Sequence, residues 1–303
     1  MVEMISFEEA DPLLDWIALT DALASGHDAA KAEIADVFLY QDENTLLNRS
    51  AWIKGMGVAV KCATIFPGNP SQGKGMIDGA VNLFSGDDGR LEAILDFHLV
   101  TKWKTSGDSL LGARKLARRD SQKILLVGAG NVGQALRHAY GSLFPDATFS
   151  IWNRSEAGAK RFHAANPDVA IAIDLESAVR SADIIASATM TTDPIIKGEW
   201  LQPGQHVDLI GAYRPDMREV DDTALSRARI FVDNMHTTAD HIGELKIPIA
   251  EGKLSRDDIV ADFYNLDAFE RQSDDEITLF KNGGGAHLDL MTSRYILDVW
   301  KNR

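Results

Sequence analysis

A glycine-rich turn directly follows a continuous apolar run near the middle of the chain, and this feature restricts the fold most. The run is KILLVGAG (123–130), as expected of a strand buried on both faces. The turn that it enters is Gly128-Ala129-Gly130-Asn131-Val132-Gly133. In this spacing the first glycine permits a tight turn, the second lets a pyrophosphate approach the backbone, and the third lets the next helix pack closely on the strand. The pattern predicts a dinucleotide-binding turn at a helix N-terminus, with a glycine turn of another α/β fold as the alternative.

Strand-like and helix-like segments alternate after Ser121 in the rhythm of βαβ units. The strand-like segments beyond the glycine turn are TFSIW (148–152), VAIAI (169–173), DIIASATM (183–190), HVDLIGA (206–212) and RIFVDN (229–234). Their spacing leaves room for crossover helices, which indicates a parallel, doubly wound sheet of the Rossmann type. The predicted fold class is therefore α/β.

The N-terminal part of the chain has a different pattern. Residues 8–32 are predicted to be helical, and short β-like runs follow between Thr45 and Thr101, with turns at 67–75 and 85–89. The β-like runs are GVAVKCATIF (57–66), GAVNLF (79–84) and LEAILDFHLV (91–100). Short strands joined by short turns favour an antiparallel sheet or a partial barrel. The segment 105–119 is predicted to be helical, as is the stretch from Ala286 to Trp300.

The acidic composition argues against two classes of partner. With 45 acidic and 31 basic residues the net charge is −14, and such a chain repels nucleic acid and anionic membrane surfaces. No apolar stretch approaches the roughly 18 residues of a membrane span, and the acidic N-terminus does not resemble a signal peptide, so the expected location is the cytoplasm. The single cysteine, Cys62, cannot form an intrachain disulfide. No carboxylate or cysteine completes a ligand set with His236 and His241, so no metal is expected.

The tip of the strand after the glycine turn bears on the choice of cofactor. It reads Asn153-Arg154-Ser155, where an NAD enzyme usually has an acid that accepts the ribose hydroxyls. A 2′-phosphate would be stabilised by the cation Arg154 and by hydrogen bonds from its two neighbours. We therefore expect NADPH as the cofactor, with NADH as the alternative. In that alternative Arg154 is solvated and Ser155 only caps the following helix.

Two lysines lie in or after the apolar runs of the N-terminal part. Lys61 interrupts a largely apolar run, and strand alternation places it on the face opposite Val60 and Cys62. On the residues alone, a surface lysine is favoured over a functional one at this position. Lys104 follows the run 91–100 and, taken alone, is also typical of a surface charge.

Seven segments, in this order, resemble the ornithine cyclodeaminase/mu-crystallin family. They are VKCATIFPGNP (60–70), LVTKWKTSGDSLLGARKLAR (99–118), ILLVGAGNVG (124–133), IWNRS (151–155), ATMTTDPII (188–196), GAYRPDMREVDD (211–222) and ITLFKNGGGAHLDL (277–290). The resemblance implies a discontinuous α+β domain for catalysis and dimerisation, over 1–120 and 286–303, with a Rossmann domain over 121–285 between its parts. It also implies a homodimer and a chemistry of α-imino acids, in which hydride passes between a nicotinamide and the carbon that bears nitrogen.

The resemblance assigns substrate-binding roles by position. Lys61 matches the family's active-site lysine, which contacts the substrate carboxylate and is a candidate proton donor. Lys104 stands where most relatives have an arginine that clamps the same carboxylate. Arg49 corresponds to a second substrate-binding arginine, although the surrounding motif differs. Because arginine binds a carboxylate as a fork and lysine only as a point charge, the mode of carboxylate binding stays open.

Other residues match cofactor contacts of the family. Thr105 matches a residue that touches the cofactor phosphates. Thr189 and Met190 end the fourth strand and are expected to lie against the nicotinamide riboside. The triple-glycine loop that starts at Lys281 and contains Gly283 matches a segment that closes over the nicotinamide. Its glycines permit close approach of the backbone, and a flexible hinge without ligand contact is the alternative.

One position departs from the deaminating members of the family. Ornithine cyclodeaminases have an aspartate after the GA of the fifth strand, where it holds the substrate amine. Here that position is Tyr213, which carries no charge at neutral pH. Residues 153–155 resemble the Asn-Arg-Thr of the NADP-binding branch. We therefore expect an NADPH-preferring reductase of α-imino acids, either cyclic or formed from a 2-oxo acid and an amine. The alternatives are an amino-acid dehydrogenase, an ornithine cyclodeaminase-type deaminase, and a non-catalytic nucleotide-dependent binding protein.

Overall fold

The computed structural model describes residues 2–303 and separates the chain into two compact units. Unit 1 consists of the residues up to Lys104 together with Gly285–Arg303, and unit 2 consists of Thr105–Gly284. The domain limits expected from the sequence, 120/121 and 285/286, stay a prediction.

The helices and strands of residues 2–303 are named in chain order. They are β1 (Glu3–Ile5), α1 (Phe7–Ala10), α2 (Trp16–His27), β2 (Glu33–Gln41), β3 (Asn44–Ile53), β4 (Gly57–Ile65), β5 (Ile77–Phe84), β6 (Leu91–Asp96), α3 (Phe97–Leu116), β7 (Lys123–Val127), α4 (Asn131–Leu143), β8 (Thr148–Trp152), α5 (Glu156–Ala165), β9 (Ala170–Ile171), α6 (Leu175–Ser181), β10 (Ile184–Ser187), β11 (His206–Leu209), α7 (Asp222–Arg227), β12 (Arg229–Val232), α8 (Gly243–Ala250), β13 (Ile259–Ala261), β14 (Thr278–Lys281) and α9 (Ala286–Lys301). None of the helices within residues 2–303 has the length and apolar character needed to cross a membrane.

Unit 1 is built on a six-stranded sheet in the order β1-β6-β5-β4-β3-β2, antiparallel except for the pair of β1 with β6. The helix α9 packs on β3 and β4 and against α2. Alternation along β4 places Ala59, Lys61 and Ala63 on the buried side of the strand. The expectation of a surface lysine at Lys61 is therefore wrong, because a helix from the far end of the chain covers the face opposite Val60 and Cys62.

The apolar run 91–100 is divided between two elements. Strand β6 ends at Asp96, and helix α3 begins at Phe97. The side chain of Asp96 accepts a hydrogen bond from the backbone N–H of Leu99 at 2.9 Å, which satisfies one of the donors at the start of the helix. The prediction of a strand to residue 100 and of a helix only from 105 was wrong, because a short apolar run has no period that separates a buried strand from a buried helix.

Unit 2 is built on an eight-stranded parallel sheet in the order β13-β12-β14-β11-β10-β7-β8-β9. On β7, Leu125 and Val127 belong to one apolar cluster, and Ile124 and Leu126 belong to another. Both faces of the strand are therefore covered, as its continuous apolar run predicted. The predicted α/β class with a doubly wound parallel sheet is confirmed. Strand β14 was not predicted from the sequence, although it lies inside the sheet between β11 and β12.

Candidate active site

Lys61 has a buried ammonium group that is held by two oxygen atoms of unit 1. The residue is 5% exposed. Its Nζ donates to Thr101 Oγ1 at 2.8 Å and to Asp289 Oδ1 at 3.0 Å, and it lies 4.6 Å from the centre of the Phe97 ring. Strand β4 supplies the lysine, α3 supplies the threonine and the phenylalanine, and α9 supplies the aspartate. Three elements that are distant in the sequence thus converge on one ammonium group.

Burial and neighbouring charges act in opposite directions on this ion pair. Burial is the largest influence and lowers the pKa of Lys61 to about 8, while the charge of Asp289 raises it and that of Lys104 lowers it. Burial also raises the pKa of Asp289, but the charges of Lys61, Lys104 and Arg49 outweigh it and hold that pKa below its usual value. The pair is therefore mostly ionised at neutral pH.

Asp289 has an oxygen that is left over from the ion pair. The residue is buried, and its Oδ2 has no hydrogen-bond partner among residues 2–303. A buried carboxylate oxygen without a donor is costly, and such an atom in a folded protein calls for an explanation. The ion pair therefore leaves one carboxylate oxygen of Asp289 without a donor in residues 2–303, next to the ammonium of Lys61.

Arg49 and Lys104 add positive charge to the same region of unit 1. Arg49 on β3 is the register partner of Lys61 on β4, and its guanidinium forms an ion pair with Asp36 at 3.0 Å. Lys104 is buried, at 5% exposed. The charges of both residues lower the pKa of Lys61, so both lie close enough to Lys61 to act on it. The structure thus brings together the three residues predicted to bind substrate, in an arrangement that favours an anion such as a carboxylate.

The glycine turn after β7 has the shape that a dinucleotide pyrophosphate requires. Gly128 has a φ of +110°, and a Cβ there would lie 2.8 Å from the carbonyl oxygen of Ala188. A Cβ on Gly133 would lie 2.2 Å from the carbonyl oxygen of Gly128, whereas a Cβ on Gly130 would meet nothing within 4 Å. No side chain caps α4 at Gly130, so side chains leave the N–H groups of its first turn, at residues 131–132, unsatisfied. These features fit a bound pyrophosphate.

Asn153 joins the glycine turn to the next helix. Its Oδ1 accepts from the N–H of Ala129 at 3.1 Å, and its Nδ2 donates to Ser155 Oγ at 3.1 Å. Ser155 Oγ accepts from the N–H of Gly158 at 3.2 Å and so caps α5. Arg154 is exposed, and no ion pair engages it within residues 2–303. Asn153 and Ser155 therefore shape the turn, while Arg154 lies exposed between them, and its contact with a 2′-phosphate stays a prediction.

Thr189 and Met190 follow β10, and their environments differ. The N–H and the Oγ1 of Thr189 both donate to Glu219 Oε1, at 2.8 and 2.9 Å, so this residue is fixed in place. Met190 is 70% exposed. Tyr213, which follows β11, is also exposed. The contact of Thr189 and Met190 with a nicotinamide riboside stays a prediction.

The triple-glycine loop after β14 is fastened within unit 2. Lys281 is fully buried, and its Nζ donates to two backbone carbonyls at 2.7 and 2.9 Å. Asn282 Nδ2 donates to the carbonyl of Thr105 at 2.9 Å. A Cβ on Gly283 would lie 2.0 Å from Thr238 Oγ1. Lys281 and Gly283 thus hold the loop, and their contact with the cofactor stays a prediction, as does that of Thr105.

Sequence reasoning missed Asp289 and Thr101, which hold Lys61. A signal for Asp289 was present, because the acid stands in AHLDLM (286–291), a helical stretch that is otherwise mostly apolar. An acid at a position that buries its side chain needs a partner. Thr101 gave no such signal, since a threonine suits a strand, a helix start or a surface equally well.

One family of known proteins matches most of the chain. The model of the ornithine cyclodeaminase/mu-crystallin family matches residues 51–303. The chain belongs to this family. The family predicted from the seven segments is therefore confirmed.

Two relatives and one solved structure extend the comparison. The chain is 47% identical to the Delta(1)-pyrroline-2-carboxylate reductase of Paracoccus denitrificans (strain Pd 1222), over 98% of this chain and 96% of the relative. It is 28% identical to the ketimine reductase mu-crystallin of Mus musculus, over 81% of this chain and 77% of the relative. An archaeal alanine dehydrogenase dimer with bound NAD is 25% identical and has a TM-score of 0.89, over 100% of this chain and 97% of that one. The two relatives carry the names of reductases.

Proposed function

We propose that this protein is an NAD(P)H-dependent oxidoreductase that reduces an α-imino acid to an amino acid, with a cyclic imine such as pyrroline-2-carboxylate as the first candidate substrate. The observation that carries the proposal is the buried, ionised Lys61, which is held by Asp289 among further cations of unit 1. The 47% identity to a pyrroline-2-carboxylate reductase over nearly the whole chain supports the choice of substrate.

The residues of unit 1 match the needs of such a substrate. A nicotinamide cofactor, when bound, supplies the hydride for the imine carbon. Lys61, with Lys104 and Arg49, attracts the substrate carboxylate and orients it. Lys61 is mostly protonated at neutral pH, so it can donate a hydrogen bond to the substrate and keep the imine nitrogen protonated. The free Oδ2 of Asp289 is an acceptor for the N–H of an iminium.

The residues of unit 2 support a cofactor with a 2′-phosphate. Arg154 is an exposed cation at the tip of β8, where an acid would repel the phosphate. Arg154→Ala should raise the KM for NADPH about tenfold or more, because it removes a charge-assisted hydrogen bond, and should change the KM for NADH little. Arg161→Ala, at an exposed position of the adjacent helix α5, is the matched control. Equal effects of Arg154→Ala on the two cofactors would remove this residue from 2′-phosphate recognition.

One further activity has an observation in its favour. The solved structure with 25% identity is named an alanine dehydrogenase, and reductive amination of a 2-oxo acid also passes through an α-imino acid. Such an enzyme requires free ammonia, whereas a reductase of a preformed cyclic imine does not. Ornithine deamination is disfavoured by the exposed Tyr213, which supplies no carboxylate for a substrate amine.

The decisive assay follows nicotinamide absorbance with a panel of imines. The panel contains pyrroline-2-carboxylate, piperideine-2-carboxylate, and pyruvate, glyoxylate and oxaloacetate with ammonia or methylamine. We expect turnover of a cyclic imine without ammonia, faster with NADPH than with NADH. Turnover only of 2-oxo acids with ammonia would replace this proposal with an amino-acid dehydrogenase. Release of ammonia from ornithine would overturn both.

We also propose that the protein is a homodimer, in keeping with the name of the archaeal structure. Strand β2 lies at the edge of the sheet of unit 1 and exposes a run of large apolar side chains. These are Val37, Phe38, Leu39 and Tyr40. An exposed apolar edge strand is usually covered by another chain. Sedimentation should give twice the chain mass, and Phe38→Glu should shift it toward the mass of one chain.

A further inference from the structure

Glu219 is a fully buried acid of unit 2 whose side chain accepts hydrogen bonds from two loops. Oε1 accepts from Ser187 Oγ at 2.5 Å, from Thr189 N–H at 2.8 Å and from Thr189 Oγ1 at 2.9 Å. Oε2 accepts from the N–H of Gly211 at 2.6 Å and from that of Ala212 at 3.1 Å. One oxygen thus serves the end of β10 and the loop after it, and the other oxygen serves the loop after β11.

These two loops lie at the edge of the sheet where a Rossmann fold binds its cofactor. Strands β10 and β11 are parallel neighbours, and on its other side β10 pairs with β7, which leads into the glycine turn. Ligands of such sheets bind at the carboxyl ends of the strands. The two loops are in direct contact, since a Cβ on Gly211 would lie 2.1 Å from both the N and the O of Thr189.

A second buried acid fixes the backbone on either side of the Glu219 side chain. Glu244 Oε2 accepts from the N–H of Glu219 at 2.8 Å, and Glu244 Oε1 accepts from the N–H of Val220 at 3.1 Å. The carbonyl of Glu219 accepts from the N–H groups of Ile195 and Ile196, both at 3.1 Å. The backbone of Glu219 is therefore fixed on two sides. Its carboxylate cannot move with one loop while the other loop stays in place.

We propose that Glu219 is a positioning residue that joins the loops of Thr189 and Gly211 into one rigid surface against which the nicotinamide end of the cofactor rests. The inference depends on the binding of a dinucleotide by unit 2 and not on which imine is reduced. Glu219 should therefore affect binding of the nicotinamide end of the cofactor more than binding of its phosphates. The glycine turn and Arg154, which are expected to contact the phosphates, make no hydrogen bond with Glu219 in residues 2–303.

The chemistry of the donors explains why a carboxylate is needed. Both oxygens of Glu219 accept hydrogen bonds from backbone N–H groups, which, unlike hydroxyls, cannot rotate to become acceptors. A glutamine has one acceptor oxygen and one NH₂ donor, so Glu219→Gln must leave the donors of one loop facing another donor. Glu219→Asp keeps the charge but is one methylene shorter, so it cannot reach both loops. Either change should separate the two loops, whereas the glycine turn keeps its own hydrogen bond, from the N–H of Ala129 to Asn153 Oδ1.

The test compares binding of two probes by calorimetry. The probes are NADPH and 2′-phospho-ADP-ribose, which lacks the nicotinamide; NADH and ADP-ribose replace them if the wild-type protein prefers NADH. Glu219→Gln and Glu219→Asp should each weaken the dinucleotide about tenfold, as expected for loss of a charge-assisted hydrogen bond, and change affinity for the fragment less than twofold. Hydrogen exchange of the cofactor-free protein should also show lost protection at the N–H of Thr189 or of Gly211.

The matched control is Asp208→Asn, which also replaces a fully buried acid of unit 2 by its amide. The partners of Asp208 are the hydroxyls of Ser109 and Tyr140, which can rotate to accept from the new NH₂ group. This variant should bind both probes like the wild type. Equal weakening of both probes by the Glu219 variants, or unchanged dinucleotide binding, would overturn the inference. The binding assay contains no imine, so its result does not depend on whether the proposed substrate is correct.

Discussion

Each unit buries a group of charged side chains, and the two groups differ in how completely they are satisfied. In unit 2, both oxygens of Glu219 and both oxygens of Glu244 accept hydrogen bonds from residues of the same unit. In unit 1, Lys61 shares only one oxygen of Asp289, and the other oxygen has no partner in residues 2–303. An acid whose two oxygens both accept hydrogen bonds from the protein is expected to have a structural or positioning role. A carboxylate oxygen without a donor, next to an ammonium group, is instead a candidate for contact with a ligand.

Burial favours the neutral form of a side chain in both groups, so it lowers the pKa of a cation and raises the pKa of an acid. It lowers the pKa of Lys61 to about 8, and it raises the pKa of Glu244 to about 7, where the charge of Glu219 adds to the effect. Both values lie near neutral pH, so a pKa close to 7 does not by itself separate a catalytic group from a structural one. The hydrogen-bond inventory makes that distinction here.

The largest expected effect comes from removing the ammonium of unit 1. Lys61→Ala should reduce kcat/KM for the imine roughly 10²- to 10⁴-fold, because the group that orients the carboxylate and keeps the nitrogen protonated is lost. Affinity for NADPH should stay within about twofold, since no residue of the glycine turn is altered. Steady-state kinetics and calorimetry measure the two quantities. Lys102→Ala is the control, because that lysine pairs with Asp11 and not with Asp289. A comparable loss of NADPH binding would contradict the role given to Lys61.

Asp289→Asn should alter the pH profile as well as the rate. The charge and hydrogen bond of Asp289 raise the pKa of Lys61 against the effect of burial, so their removal should lower that pKa further below about 8. The basic limb of the kcat/KM profile, along which activity falls as Lys61 loses its proton, should therefore move to lower pH by about one to two units. Lys104→Met should move the limb in the opposite direction, since the charge of Lys104 lowers the same pKa.

Asp298→Asn on the same helix α9 is the control for this pH shift. Asp298 is not among the charges that act on Lys61, so its removal should leave the basic limb in place. If Asp289→Asn also left the limb unchanged, the group that titrates along it would not be Lys61, and the contrast between the two buried groups would lose its functional meaning.

The glycine turn, the βαβ alternation and the cap at Ser155 could be read from the sequence because each depends on residues close together in the chain, whereas β14, which pairs with β11 and β12, could not. Gly128 and Gly133 are five residues apart, and Ser155 caps the helix that begins at the next residue. The partners of Lys61 could not be predicted this way, since Asp289 is 228 residues away from it. The resemblance to the family identified Lys61 as functional, but only the fold shows which side chains keep it charged.

The smallest expected effect on catalysis concerns Asp208, an acid of unit 2 whose two oxygens both accept hydrogen bonds and whose protonation affects stability instead. Burial raises the pKa of Asp208 to about 7 from 3.8, although hydrogen bonds from Tyr140 and Ser109 lower it in part. Between these values the folded state binds more protons than the unfolded state, so this group makes the protein less stable as pH rises toward 7. Asp208→Asn has no such titratable group, so its free energy of unfolding relative to wild type should rise by roughly 3 kcal/mol from pH 4 to 7 and stay level above pH 7. Denaturant unfolding at several pH values measures this difference.

Tyr140→Phe should make the stability of the protein fall more steeply with pH, because it removes a hydrogen bond that lowers the pKa of Asp208. A flat difference across this pH range would mean that Asp208 titrates alike in both states, and full satisfaction of an acid would then carry no cost in stability.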